Sequence, residues 1–571
     1  MEQLLVGNQD ISSSPIFNLA NNWADAFLTN LSAQISTDSL SLSVFGPSGD
    51  PIYQNYFGPL KGNDTDDYGH VGRNSIYRVA SLTKVFTVLE LLTLRDRGLI
   101  DFDKDITVYI PNFQYPTHTW RERLGLKQQP YNPETSLNSD SAASKDKITT
   151  RQLVTHLSGI LRDVVVNQKM PLETGQKSTD SIFFIPRSSD DVFNTLNDYP
   201  TAVTPGSFPL YSNLAFILGQ YIIEGAYNGN TNSRRTSSSA RSRRSSSRGL
   251  TYAQIIKKDI LDPLGMTSSY FTIPDHRLDD LVVPAEPFAN SADRDLTVSN
   301  GAFGLSTTAL DLRRFAQAIL SNYYGIGKGS SFPIESSTIR DWIRPISVFD
   351  DNLTGIGAPW EIYFYPSTTQ SDLKYTTPRG MKVYTKEGSL PGYTTHLVLD
   401  PSRQLGAVFL TTGNITDTTY IMEQITTTFG GAFDEYRKSV LDRKAGRFCL
   451  LQNNGGLPTD EVMIEVEQDT YYITKWVYQN TDMIKDALHL NELIGNDLPA
   501  VLPLWPTTEK DLYLSGTGSP PIGHFEGCMI QFQKMNSVFS NDYPSELVLL
   551  EEDDLYFPSG GQRYSKSACS K

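Results

Sequence analysis

The sequence predicts a mixed α/β domain, an antiparallel sheet flanked by helices with a helical lobe, followed by a smaller, mostly β domain. Three observations carry that expectation. Ser39 to Phe57 alternates apolar and polar residues around Gly46-Pro47-Ser48-Gly49, which is the pattern of a β-hairpin. Three strand-like runs lie between residues 382 and 413, and helical patterns fill the stretch between them and the hairpin. From about residue 440 the chain turns to short aromatic and β-branched runs separated by Gly, Pro, Asn and Asp, such as Tyr471-Tyr472-Ile473-Thr474 and Glu546-Leu547-Val548-Leu549-Leu550. A chain of 571 residues exceeds one compact core, so two domains are expected, at residues 15–438 and 439–571.

The elements follow in order. Ser81 to Arg95 reads as a helix in which Val85, Phe86, Val88, Leu89, Leu91 and Leu92 leave hardly any polar face, so it is buried. Further helices are expected at Thr150 to Leu157, Ser212 to Glu224, Tyr252 to Ile260 and Ala309 to Ser321, with Ser306-Thr307-Thr308 as candidate caps for the last. Asn228 to Gly249 is almost wholly Ser, Arg, Asn, Thr and Gly with no acid, which predicts a mobile surface loop; Asn132 to Lys147 reads as a second polar excursion. Val383-Tyr384-Thr385, Thr395 to Leu399 and Ala407 to Leu410 read as strands. The last two are joined by the turn residues Asp400-Pro401-Ser402-Arg403 and are therefore antiparallel neighbours. The first hairpin is expected to return and pair with them.

Hydrophobic residues at 39% and charged residues at 20% are ordinary for a globular chain. A net charge of −15 repels phosphate backbones and anionic lipids, so nucleic acid is not expected as a partner. No apolar run reaches the roughly 18 residues that a membrane-spanning helix needs. Met1 to Ala20 lacks a basic start and an apolar stretch, which points to the cytoplasm, or to secretion if a leader has been removed. Cys449, Cys528 and Cys569 read as structural; their odd number and spacing argue against a disulfide scaffold or a zinc site and leave room for one disulfide in the tail. The seven histidines form no ligand pattern, so neither a metal nor another cofactor is expected.

Ser81-Leu82-Thr83-Lys84 places a hydroxyl and an amine one helical turn apart. A serine hydroxyl is a weak nucleophile until a base takes its proton, and a desolvated, neutral lysine can do so. Ser144/Lys147 and Ser371/Lys374 share the spacing, but only Ser81 opens a strongly apolar helix. Tyr211-Ser212-Asn213 is a second candidate, since a tyrosine whose pKa is lowered by nearby lysines relays protons; Tyr53-Gln54-Asn55 and Tyr478-Gln479-Asn480 have the same form. Lys386-Glu387-Gly388 is the third, a lysine that sets the charge around the serine and a glycine that leaves room for substrate along the strand edge; Lys444-Ala445-Gly446 is its competitor. Trp360 reads either as a wall of an acyl pocket or as a core residue. His156 reads as a packing or capping residue.

In order and surroundings these segments resemble the serine β-lactamase and penicillin-binding superfamily, in the branch of class C β-lactamases, esterases and fungal acyltransferases of secondary metabolism. Gly98 to Asp103, Leu153-Val154-Thr155-His156-Leu157-Ser158-Gly159, Pro263 to Thr267, Gly301 to Thr307 and Gly388-Ser389-Leu390-Pro391-Gly392-Tyr393 carry the likeness, which covers roughly residues 15 to 435. The resemblance implies a β-lactamase/transpeptidase-like fold and a covalent acyl-Ser81 intermediate. By it, Lys84 accepts the serine proton, Tyr211 serves the leaving group, Asn213 and Lys386 hold substrate, and the Ser81 and Ser389 N–H groups stabilise the oxyanion. The tail is similar to a β domain that follows this catalytic domain in some fungal members. The family's third motif is usually Lys-Thr-Gly or His-x-Gly, whereas Glu387 fills its middle here; the missing hydroxyl and added charge predict poor activity on β-lactams. A small-molecule ester, lactone, thioester or amide is the expected substrate. An acyl carrier or an alcohol or amine acceptor enters if the enzyme is an acyltransferase, and a non-catalytic binding protein on this fold is the remaining alternative.

Overall fold

A computed structural model describes residues 14–34, 37–62, 69–114, 147–164, 185–236, 249–325, 332–366, 380–413, 418–451, 459–487, 501–516 and 539–570, apart from a few short gaps within them. Ser144, the Ser371/Lys374 pair, Cys528 and nearly all of the excursion expected from Asn132 lie outside the described residues.

Eight antiparallel strands form the central sheet: β1 (Thr37–Phe45), β2 (Tyr53–Phe57), β5 (Ser347–Val348), β6 (Thr354–Ile356), β7 (Glu361–Tyr365), β8 (Met381–Leu390), β9 (Tyr393–Asp400) and β10 (Leu405–Gly413). A separate two-residue ladder pairs β3 (Tyr77–Arg78) with β4 (Ser306–Thr307). The order β2-β1-β10-β9-β8-β7-β6-β5 closes the first hairpin onto the last strand, with Leu40 opposite Thr411 and Phe45 opposite Gly406. The alternation in β1 explains its place. Leu40, Leu42 and Val44 enter one core, whereas Ser39 and Ser41 face the other side and meet the Tyr77 hydroxyl.

Helices cover both faces. On one side α1 (Ile16–Gln34) and α6 (Thr418–Lys444) pack with the odd-numbered side chains Val383 of β8 and Phe409 of β10. On the other lie α2 (Thr83–Asp96), α3 (Thr150–Val154), α4 (Asn213–Thr236) and α5 (Ala309–Tyr323), with the larger core. All six apolar residues that predict the buried helix are at most 4% exposed, and each contributes roughly 1.5–3 kcal/mol by leaving water. The cap of α5 is Thr308, whose hydroxyl accepts from the Asp311 N–H at 3.1 Å.

One boundary departs from expectation. α4 does not end at Glu224 but continues to Thr236, into the segment read as a loop from Asn228. Residues 228–236 are mostly Asn, Thr and Gly, so the extension runs against intrinsic propensity; a helix already nucleated gains one hydrogen bond for each residue it adds, which the compositional argument neglects. Asn228 also fastens the far end of the segment, donating to the Leu250 carbonyl and accepting from its N–H, each at 2.9 Å. Residues 237–248 lie outside the described residues.

The C-terminal region is a nine-stranded antiparallel sheet running from Gly446–Leu450 to Gln562–Ser565 around its own core. α6 leads into it through Leu441, which is buried in that core. A disulfide joins Cys449 to Cys569 across a sequence separation of 120 residues. Among the described residues, no helix is long and apolar enough to cross a membrane.

Candidate active site

The Ser81 position is built by a strained turn. Ala80 has φ of 47°, in the left-handed region that L-residues with a Cβ avoid at a cost of about 1 kcal/mol. Hydrogen bonds on both sides hold it: before it Val79 N–H donates to the Leu305 carbonyl at 3.1 Å, and after it Thr83 Oγ1 accepts from the Leu305 N–H at 3.1 Å. A short 3₁₀ turn, Ala80–Leu82, then feeds α2, so Ser81 stands at the head of the helix, partly exposed, with Lys84 buried one turn later.

Lys84 Nζ lies 2.9 Å from Ser81 Oγ, 2.8 Å from Asn213 Oδ1 and 2.9 Å from the Ala302 carbonyl. Burial pushes its pKa well down, and the Lys386 charge adds to this. The two partners other than serine can only accept. Once Lys84 is neutral, its two remaining N–H bonds stay with them and its lone pair is left facing Ser81. Tyr211 completes the arrangement by donating its O–H to Ser81 Oγ at 2.9 Å. Among the described residues the Ser81 N–H has no protein acceptor.

His156 braces Tyr211. Its own φ is 58°, its Nδ1 accepts from the Ser212 N–H at 3.1 Å, and its ring stacks on the Tyr211 ring at 4.5 Å between centroids. Burial, aided by Lys84, Lys386 and Arg162, holds it neutral with a pKa well below the usual. This agrees with a packing and capping role.

Tyr211 itself corrects the sequence expectation: its pKa is raised, because burial outweighs the opposing pull of Lys386. It is therefore a neutral phenol, a proton donor at rest. Lys386 Nζ sits 5.5 Å from the Tyr211 ring centroid, contacts the Glu361 carboxylate, and donates to the Glu387 carbonyl at 2.8 Å. Burial acts against its charge, but Glu361 prevails and raises the pKa above the usual lysine value.

Three further expectations change. Gly388 does not leave room for substrate: a Cβ there would stand 2.1 Å from the Val79 carbonyl and 2.6 Å from Thr395 Oγ1, so the glycine lets β8 press against the turn that carries Ser81. Trp360 is wholly buried against Trp342, at 5.2 Å between ring centroids, and is a core residue rather than a pocket wall. Glu387 leaves β8 on the face opposite Lys386, since alternate strand residues point apart, and the acid beside Lys386 is Glu361. Ser389 falls at the exposed end of β8, opposite Thr394. Lys444, the rival of Lys386, pairs with Asp511 in the tail. Tyr53, which heads a rival Tyr-x-Asn, bonds Asp25 at 2.7 Å.

Sequence reasoning missed Glu361, Asp163 and the Ala302 carbonyl. Each lies in or just after a segment already singled out, but nothing in one sequence says which neighbour turns inward. Asp163 Oδ1 accepts from Asn213 Nδ2 at 2.7 Å, and the Arg162 guanidinium lies over the Tyr211 ring at 5.1 Å. A separate cavity of about 310 Å³, lined by Ser43, Tyr56, Arg73 and Arg313 among others, includes none of these residues.

An antiparallel sheet between two helical layers, with a serine and a lysine one turn apart at the head of a buried helix, defines a protein of the β-lactamase/transpeptidase fold. Comparison with known proteins agrees: the Beta-lactamase family model matches residues 24–423, and the chain belongs to that family, a family of serine hydrolases. It is 26% identical over 315 residues to Beta-lactamase-like protein str6 of Strobilurus tenacellus, covering 54% of this chain and 96% of that protein. It is 23% identical over 445 residues to the Probable hydrolase clz13 of Cochliobolus lunatus, covering 74% of this chain and 64% of that one. The chain spans about half the length of the Dictyostelium discoideum relatives that it matches. In fold it is similar to the octameric penicillin-binding protein homologue from Pyrococcus abyssi, with a TM-score of 0.50 and 17% identity over 95% of this chain and 99% of that one.

Proposed function

We propose that the protein is a serine hydrolase that works through a covalent acyl-Ser81 intermediate. The observation that carries this is the set of partners around Lys84 Nζ, which leaves a neutral amine no direction for its lone pair except Ser81 Oγ. Ser81 Oγ attacks the acyl carbon as its proton passes to Lys84. The oxyanion then forms near the Ser81 and Ser389 N–H groups. Tyr211 gives its proton to the departing group as the bond to that group breaks, and Lys84 returns a proton to the phenolate. For deacylation Lys84 takes the Tyr211 proton, the phenolate takes one from the water that attacks the ester, and Lys84 returns its proton to Ser81 Oγ as the acyl–oxygen bond breaks, releasing the acid and free Ser81. An alcohol or amine in place of water makes the same enzyme an acyltransferase, and an acyl carrier would serve as donor.

The substrate in this reading is a neutral ester, lactone, thioester or amide, and β-lactams are poor substrates. The support is Lys386, whose charge is held by Glu361 and so is not free for a substrate carboxylate. The test is intact mass after exposure to a fluorophosphonate and to activated esters, for the parent protein and Ser81→Ala. An adduct on the parent alone is expected; a parent that stays unlabelled by every probe supports the binding-protein alternative. Adding an alcohol acceptor and following ester product against acid product separates hydrolysis from transfer.

A further inference from the structure

We infer that Asp163 is a positioning residue that locks the Asn213 amide and so aims the Lys84 lone pair at Ser81; the inference rests on the acyl-enzyme reading above. An asparagine amide has two faces of nearly equal shape, one that accepts and one that donates. In this site Asn213 lies between Lys84 Nζ at 2.8 Å and Asp163 Oδ1 at 2.7 Å. A carboxylate can only accept, so it takes Nδ2 and turns Oδ1 to the lysine. Were the amide reversed, its NH₂ would face Lys84, and a neutral lysine would then turn its lone pair to Asn213 rather than to Ser81. The Ala302 carbonyl is fixed in the backbone and cannot restore the direction. Asn213 alone therefore does not define the base; its outer partner does.

The setting suits this task. The Asp163 side chain is 11% exposed, so little water competes for its oxygens; burial raises its pKa above the usual carboxylate value, and the Asn213 hydrogen bond and the Arg162 guanidinium, with Nε 3.4 Å from Oδ2, oppose that shift. Arg162 belongs to the same chain segment, and its carbonyl accepts the Asn213 N–H at 2.8 Å. One short stretch after the Gly159 turn thus holds both the backbone and the side chain of Asn213. Asp163 also acts through charge, favouring protonated Lys84 against the burial that lowers its pKa.

Position and charge can be separated by two variants. Asp163→Asn keeps an oxygen that can accept from Asn213 but removes the charge; Asp163→Ala removes both. Ser81 labelling by a fluorophosphonate is followed against pH in each, with thermal melting as the check on folding. Asp163→Ala is expected to label about 100-fold more slowly on the plateau above the acid limb, the scale of a misdirected general base. Asp163→Asn is expected to keep most of the plateau rate while its acid limb moves to lower pH by about one unit, because the loss of a nearby negative charge lowers the Lys84 pKa. Folded Asp163→Ala labelling at the parent plateau rate, or Asp163→Asn labelling as slowly as Asp163→Ala, overturns the inference. If the parent protein is itself unlabelled, the acyl-enzyme reading fails separately. The Asn213 side-chain amide protons then decide: protection from exchange that is lost in Asp163→Ala upholds the lock, and unchanged protection refutes it.

Discussion

Glu90 lies on α2, six residues beyond Lys84, and it is wholly buried with neither carboxylate oxygen hydrogen-bonded among the described residues. Burial drives its pKa well above the usual carboxylate range, with the Asp259 charge adding to the shift. Between the unfolded pKa of about 4.3 and the raised folded value, the unfolded chain releases this proton and the folded chain keeps it. Stability is therefore lost as pH rises through that window. Glu90→Met, similar in volume and without a polar group to desolvate, is expected to raise Tm by the equivalent of about 1–3 kcal/mol, with a larger gain at neutral pH than in mild acid. Melting at both pH values checks this. A lower Tm would show that the carboxyl has a partner worth keeping.

At the scale of elements, the site is a junction between the strained turn at Ala80 and the free end of β8. β7 pairs with β8 only as far as Thr385, opposite Glu361, so the strand beyond it is available to the turn and to Lys386. Gly388→Ala would drive a Cβ into the Val79 carbonyl, a backbone atom that cannot swing away. The turn and strand must then part by about an ångström, since the Cβ would otherwise stand 2.1 Å from that oxygen. Ser81 labelling is expected to fall about 100-fold through lost alignment, while stability falls by only about 1–3 kcal/mol. Labelling at the parent rate in a folded Gly388→Ala protein would show that this contact does not set the geometry of the nucleophile.

Across the whole molecule, the C-terminal sheet has its own core and its own covalent tie. The Cys449–Cys569 bond closes a loop of 120 residues, for which chain entropy alone gives about 5 kcal/mol of stabilisation. Cys569→Ser is expected to lower the melting transition of the C-terminal sheet and leave that of the central domain, and the Ser81 labelling rate, in place. Calorimetry paired with labelling tests both halves of that statement. Loss of labelling would mean that the tail supports the catalytic domain directly.

Local features were legible in the order of the residues. Hydrophobic period marked α2, turn residues marked the β1–β2 and β9–β10 connections, and the family resemblance of the ordered segments, rather than their short spacings, singled out Ser81, Lys84, Tyr211 and Asn213, which the structure brings to one point. Only the tertiary structure decided the environment of those groups. Tyr211 has a raised pKa because packing removes its water; Trp360 is core because Trp342 lies against it; Gly388 is a glycine because Val79, more than 300 residues away in the chain, passes beneath it. Asp163 and Glu361 escaped notice for the same reason. A side chain's period can be read along one strand or helix, but its charge state and its partners depend on atoms that folding brings from elsewhere.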